Sequence, residues 1–237
     1  MEFWRRKRMF LLIIAILICL YLIMTPKKLS KEPQISPHSK PLIEIKLPKP
    51  AYTSHISIEE ALKKRRSVRQ YKNEAITLRH VAQLLWASQG ITSNNGFRTA
   101  PSAGALYPLE VYLVSGNIDS LPPGIYHYIP AKHLLQRLKN DDVRNQLATA
   151  AWGQKAIQLG AVDVVITAQF SRTLNQYGDK GASFVFMEAG HAAQNIYLQS
   201  VSLNLGTVSI GAFDGNQVKA ILGIQEEPLY ILPIGKI

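Results

Sequence analysis

The chain of 237 residues carries a formal charge of +11, unevenly distributed. Met1 to Pro50 hold ten Lys and Arg against three acids, whereas Ala51 to Ile237 hold 17 against 13, so the basicity belongs mainly to the N-terminal segment. That excludes a nucleic-acid surface, which wants Lys and Arg spread along one face of the folded domain. The one cysteine, Cys19, sits in an apolar run, so intramolecular disulfides and thiolate-built metal sites are ruled out.

Arg5-Arg6-Lys7-Arg8 precede an apolar run of 16 residues from Met9 to Met24, slightly short of the ~20 that span a bilayer. Trp4 and Tyr21 can extend it as interfacial anchors. Leu22 to Pro26 offer poor small residues for cleavage, so residues 9–25 are expected to be an uncleaved, single-pass signal anchor behind a basic flank at 1–8. Ile18 before Cys19 is too large for a lipoprotein cleavage site. The flanking charges place the N-terminus inside and the domain on the non-cytoplasmic side. Residues 26–52 carry six prolines amid Lys and Ser and read as an extended tether. Residues 53–237, roughly 185, are enough for one domain with a sizeable core.

Within that domain Ser57-Ile58-Glu59-Glu60 forms a capping box that starts a helix to about Lys64. Thr77 caps a second helix with Leu78, Val81, Ala82 and Leu85 on one face, stopped by Gly90. Ile91 to Leu106 is a long polar loop, a length that in compact domains is often functional. Leu109 to Val114 is a strand. Gly124 to Ile129 and His133 to Leu138 make a hairpin, and Asp141 to Ala151 a helix. Val162 to Phe170, apolar and β-branched, is a buried strand. Gly181 to Leu205 is the longest helix, its apolar face formed by Ala182, Val185, Phe186, Ala189, Ala193, Ile196 and Tyr197. Asp214 caps a short helix to Leu222, and Pro228 to Ile234 is a final strand. Helices and strands intermix without βαβ alternation, so the expected class is α+β.

No G-x-G-x-x-G follows a strand and no Walker A loop exists. Glu188 and His191 have the i, i+3 spacing of di-iron bundles but lack the second such pair, so no metal site is expected. Ser102 has no G-x-S-x-G setting for a nucleophile.

What survives is a set of pieces suited to flavin mononucleotide. Arg65-Arg66-Ser67-Val68-Arg69 puts three guanidiniums and a hydroxyl within five residues, a grip for a phosphate; if extended, Arg65, Ser67 and Arg69 share one face. Pro101, Ser102, Ala103, Gly104, Ala105 and Leu106 form a turn small enough for backbone to meet a flat ring. Val208 to Phe213 supplies a second small-residue loop, including Ser209, Ile210 and Gly211. Hydrogen-bond donors at the reactive edge would stabilise the reduced ring.

The R-R-S-x-R-x-Y stretch from Arg65, P-S-A-G-A-L-Y-P-L-E-V-Y from Pro101, Tyr177-Gly178-Asp179-Lys180-Gly181, Glu188-Ala189-Gly190-His191 with Gln194-Asn195, the Gly206-to-Phe213 loop and Pro233-Ile234-Gly235 together resemble the nitroreductase superfamily. More narrowly they resemble its SagB/ThcOx-type dehydrogenases, over about Ile58 to Ile237. The resemblance implies an FMN-binding α+β fold with a mainly antiparallel sheet, and a homodimer with flavins at the subunit interface. Arg65, Arg66, Ser67 and Arg69 would then serve the phosphate and ribityl or pyrimidine end, Pro101 to Leu106 the ring, in one version from the other subunit, and Ser209 to Gly211 the reactive edge. Glu188 and Asn195 are expected in structural roles. Relatives that oxidise azolines carry a Lys-Tyr pair where this chain has Gln176-Tyr177, so the expected base is missing and Tyr177 remains as a proton donor; phenols are poor bases near neutral pH. Where relatives add terminal basic residues to the phosphate clamp, Lys236 is the candidate here.

The resulting expectation is a membrane-tethered FMN oxidoreductase working by ping-pong hydride transfer on a small-molecule or peptide substrate. The alternatives are a reductase of nitro compounds or quinones with an NAD(P)H donor, and a catalytically silent membrane-anchored binding protein on the same scaffold.

Overall fold

A computed structural model describes residues 43–237. The basic flank, the apolar anchor and most of the tether lie outside them. Among the described residues no helix is long and apolar enough to cross a membrane.

The centre is a seven-stranded sheet whose pairings are all antiparallel. Its strands are β1 (Glu44–Lys46), β3 (Leu109–Ser115), β5 (Gly124–Ile129), β6 (Leu134–Lys139), β7 (Val162–Ala168), β8 (Leu205–Thr207) and β9 (Glu227–Lys236), in the order β1-β6-β5-β3-β7-β9-β8. Two-residue strands β2 (Ile76–Thr77) and β4 (Ile118–Asp119) pair separately and in parallel. The helices are α1 (Ile58–Lys64), α2 (Leu78–Gln89), α3 (Arg144–Ala150), α4 (Lys155–Leu159), α5 (Ser171–Tyr177), α6 (Gly181–Ser202) and α7 (Gly215–Leu222). The α+β class read from the sequence is the one observed.

Helices cover both sheet faces, which explains why the central strands are almost continuously apolar. Along β3, Leu109, Val111 and Leu113 join the core built with Leu84 and Leu85 of α2 and Val185, Ala189 and Ile196 of α6. Tyr112 and Val114, on the opposite face by the two-residue period of a strand, join the core built with Leu147 of α3, Ile157 of α4, and Val218 and Leu222 of α7.

Several local expectations hold at residue level. Ser57 accepts from the Glu60 N–H at 3.1 Å. Thr77 caps α2 reciprocally with His80, and Gly90 ends it. Asp214 accepts from the N–H groups of Asn216 and Gln217.

Four corrections matter. The tether read to residue 52 ends sooner, because Glu44–Lys46 pairs with β6 and Leu47 is buried. The longest helix stops at Ser202 instead of Leu205: Asn204 adopts φ 56° and turns the chain into β8 at the sheet edge. Asn tolerates that left-handed conformation, and Gly206, read as a helix stop, instead admits a close approach, since a Cβ there would stand 2.7 Å from Val68. Phe186, assigned to the buried face of α6, is 57% exposed, with Met187 beside it at 59%. Helix α5, where Tyr177 is the last residue, is not signalled by the sequence pattern.

Candidate active site

Arg65 is the C-cap of α1, its N–H donating to the Ala61 carbonyl at 2.9 Å. The chain then runs extended: Ser67 bridges Thr207 of β8 in parallel, and the Val68 N–H donates to the Thr207 carbonyl at 2.9 Å. Alternation therefore turns Val68 toward Gly206 and leaves Arg65, Ser67 and Arg69 on the other side. Arg66 does not join them. Its guanidinium folds back to donate to the carbonyls of Lys63 (3.2 Å) and Arg65 (2.6 Å). Neither Arg65 nor Arg69 is in an ion pair among the described residues, so both guanidiniums are available to an anion.

Tyr197 of α6 is the hub of this region. Its hydroxyl lies 3.0 Å from Ser67 Oγ, accepts from the Ser209 N–H at 2.9 Å and stands 3.5 Å from Ser209 Oγ. The Arg65 guanidinium carbon lies 5.2 Å from the Tyr197 ring centroid. Burial would push the phenol up, but the hydrogen bonds of Ser209 and Ser67, with the Arg65 charge, outweigh it and hold it below its ordinary value. The loop after Ser209 is pinned by Ile210, which exchanges two 2.9 Å backbone hydrogen bonds with Ile231 of β9; Gly211 follows, exposed. The structure thus joins the basic cluster to the Ser209–Gly211 loop. Sequence reasoning puts Tyr197 on a core face and gives it no site role. Lys236 stands apart from this cluster: its ammonium pairs with Glu74 at 3.0 Å.

The Pro101–Leu106 stretch forms a 3₁₀ turn over Ala103–Ala105 with Gly104 at φ 60°, and Ala105 and Tyr107 at φ 52° and 47°. Two non-glycine residues in the left-handed region store strain, a condition that clusters at functional sites. Several contacts hold it. Ser102 Oγ accepts from the Tyr107 N–H at 2.9 Å. Arg172 of α5 donates to the Tyr107 carbonyl at 2.9 Å and pairs with Glu110 of β3, which also bonds His127 at 2.8 Å. The Arg98 guanidinium carbon lies 4.4 Å from the Tyr107 ring centroid. Asn195 donates to the Thr99 carbonyl at 3.2 Å. Gln89, which accepts from Arg98 at 2.8 Å, donates to Glu188 at 3.5 Å. Glu188 is 3% exposed; burial pushes its carboxyl up against the weaker opposing effects of Ser102, Arg98 and Gln89.

Tyr177 sits at this turn. A Cβ on Gly104 would stand 2.8 Å from the Tyr177 hydroxyl and 3.4 Å from the Gln176 amide nitrogen. The phenol ring packs edge-on to Phe184 at 5.1 Å and remains 37% exposed.

Within one chain the two halves of the site do not share a helix face. Glu188 and Asn195 contact the turn side, while Tyr197 contacts the basic cluster. Nine residues from 188 to 197 make two and a half turns, so Glu188 and Tyr197 point to opposite sides of α6 and lie roughly 14 Å apart along its axis.

The sequence pattern of the nitroreductase family matches residues 62–236. The chain belongs to the nitroreductase family. That family is one of flavin-dependent oxidoreductases. A Methanocaldococcus jannaschii protein described as a nitroreductase is 44% identical over 82% of this chain and 96% of its own. A nitroreductase-type structure from Anabaena variabilis superimposes with a TM-score of 0.73 at 28% identity, covering 82% of this chain. The present chain spans 42% of that protein, less than half. The Escherichia coli microcin B17-processing protein McbC is 30% identical over 46% of this chain and 42% of its own. The microcin synthetase complex, solved with a truncated precursor bound, shares the nitroreductase fold at a TM-score of 0.63 and 22% identity, covering 87% of this chain and 78% of its own.

Proposed function

We propose that this nitroreductase-family chain is an FMN-dependent oxidoreductase of the SagB/ThcOx type, acting by ping-pong hydride transfer on a small-molecule or peptide substrate. The observation that carries the reading is the Tyr197 hub, which gathers Arg65, Ser67 and Ser209 into one cluster. Its donor set fits the cofactor: two guanidiniums without carboxylate partners among the described residues, beside a hydroxyl, suit a phosphate dianion. Arg65, Ser67 and Arg69 would hold that group, and the Ser209–Gly211 backbone would meet the ring. Bound there, FMN would supply a ring able to take up and release hydride. The protein's own part is positioning. Tyr197 fixes the clamp relative to the ring-facing loop, Arg172 and Ser102 hold the strained turn, and Tyr177 presents a proton at its hydroxyl beside Gly104.

The homodimer is part of this proposal. The turn and the clamp occupy opposite sides of α6, so a site that uses both draws them from two copies. Phe186, Met187, Gly190 and His191 leave an exposed stripe on the long helix that a second copy would cover. We also assign residues 9–25 as a membrane anchor placing the domain on the non-cytoplasmic side, on the strength of the sequence alone.

A second reading, reduction of nitro compounds or quinones with NAD(P)H, is favoured by Gln176 in the place of the azoline-oxidase lysine and by the nitroreductase description of the 44% identical relative. The purified chain should be yellow, or become so with added FMN; a colourless protein that takes up no FMN refutes the proposal. Oxidation of NAD(P)H coupled to a nitroaromatic acceptor decides for the second reading.

A further inference from the structure

A cavity of about 550 Å³ lies away from the residues described above, between the segment 49–58, α1, α2 and the C-terminal part of α6. None of Arg65, Ser67, Tyr177, Tyr197 or Ser209 lines it. Its size is that of a small-molecule site. The segment that closes it is clasped, not packed down: the buried Gln83 amide accepts from the Ala51 N–H at 2.8 Å and donates to the Ala51 carbonyl at 3.0 Å and to Gln199.

Its lining has a definite chemistry. Tyr52 and Trp86 meet edge to face at 5.5 Å and give it an aromatic wall. Lys49 and Arg79 contribute cations, and neither is in an ion pair among the described residues. Among the described residues no Asp or Glu lines the space. We propose that this cavity is a second ligand site, taking a planar or aromatic small molecule that carries one anionic group. The ring would pack along the aromatic wall that Tyr52 and Trp86 form together, and the anion would face Arg79 and Lys49.

The test uses the full chain in lipid nanodiscs with excess FMN present, titrated calorimetrically with 2-naphthoate and with neutral 2-naphthalenemethanol, empty nanodiscs being subtracted. One saturable naphthoate site is expected. A charge-assisted contact of ~1.5–3 kcal/mol corresponds to roughly 10- to 100-fold, so the neutral probe, and naphthoate on Arg79→Gln or Lys49→Gln, should bind weaker by about that factor. Ser202→Phe, which fills the cavity, should abolish binding of both probes while the melting temperature shows a folded chain. Absence of saturation overturns the proposal. So does wild-type naphthoate affinity in folded Arg79→Gln, Lys49→Gln and Ser202→Phe, which would put the probe elsewhere.

Discussion

The hydroxyls of Ser67 and Tyr197 lie 3.0 Å apart although 130 residues separate them in the chain. Because Tyr197 also accepts from the Ser209 N–H, one phenol oxygen sets the distance between the basic segment and the loop after β8. Tyr197→Phe leaves that N–H and the Ser67 hydroxyl without this partner, a loss of ~1–3 kcal/mol where burial keeps water out. A lower melting temperature and weaker FMN uptake in fluorescence titration are expected together.

Removing the clamp itself should act on the cofactor more than on the fold. Arg65 and Arg69 are in no ion pair among the described residues, and Arg69 is exposed. Arg65→Ala with Arg69→Ala should weaken FMN binding by at least 100-fold if each guanidinium contributes ~1.5–3 kcal/mol to a phosphate, with little change in thermal stability. Unchanged FMN affinity would contradict the assignment. Arg66→Ala, whose side chain caps carbonyls of its own neighbourhood, should leave affinity near wild type.

Tyr177→Phe keeps the ring against Phe184 and removes the hydroxyl beside Gly104. If that hydroxyl donates a proton in the reaction, turnover should fall by roughly 10²–10⁴ while the bound flavin spectrum is retained. Single-turnover spectroscopy separates the two.

Glu110 links β3, α5 and the strained turn through Arg172 and His127. Burial would raise its pKa, but the His127 hydrogen bond and the Arg172 charge hold it below the ordinary value. A depressed carboxylate stabilises the fold above its unfolded pKa and loses that contribution as pH falls through the folded one. Glu110→Gln should therefore cost ~1–2 kcal/mol near neutrality, since the Arg172 partner is partly exposed, and show less further loss on acidification. Chemical denaturation at several pH values measures both.

Asp163 behaves oppositely. It is fully buried in β7, both oxygens lack hydrogen-bond partners among the described residues, and burial raises its carboxyl well above the ordinary range despite Arg144 nearby. A raised acid favours folding below its unfolded pKa, and that advantage is lost as pH climbs toward the folded pKa. Asp163→Asn should match wild type in acid and be more stable by ~1–3 kcal/mol near neutrality, with a flatter pH profile. Denaturant midpoints measured from acid, below the ordinary carboxylate value, up through neutrality check the sign.

Elements whose cause is local are legible in the amino-acid sequence. Ser57, Thr77 and Asp214 accept from their own helices' N–H groups within three residues, so their signal sits in the chain itself. Helix α5 escapes a reading of the sequence because its first turn has no side-chain cap to announce it. Phe186 misleads because apolar periodicity counts an exposed stripe on α6 in the same way as a buried one.

The site divides along the same line. Residue types alone mark Arg65, Ser67, Arg69, the Pro101–Leu106 turn and Ser209–Gly211, because guanidiniums, small residues and glycines are read by composition and spacing. Only tertiary structure shows that Lys236 is held by Glu74 and that Tyr197 binds two distant segments. The first depends on where β9 brings Lys236 beside Glu74, the second on where β8 and α6 bring remote groups. A hydroxyl on a core-facing helix position carries no trace in the chain of which donors the fold will set beside it.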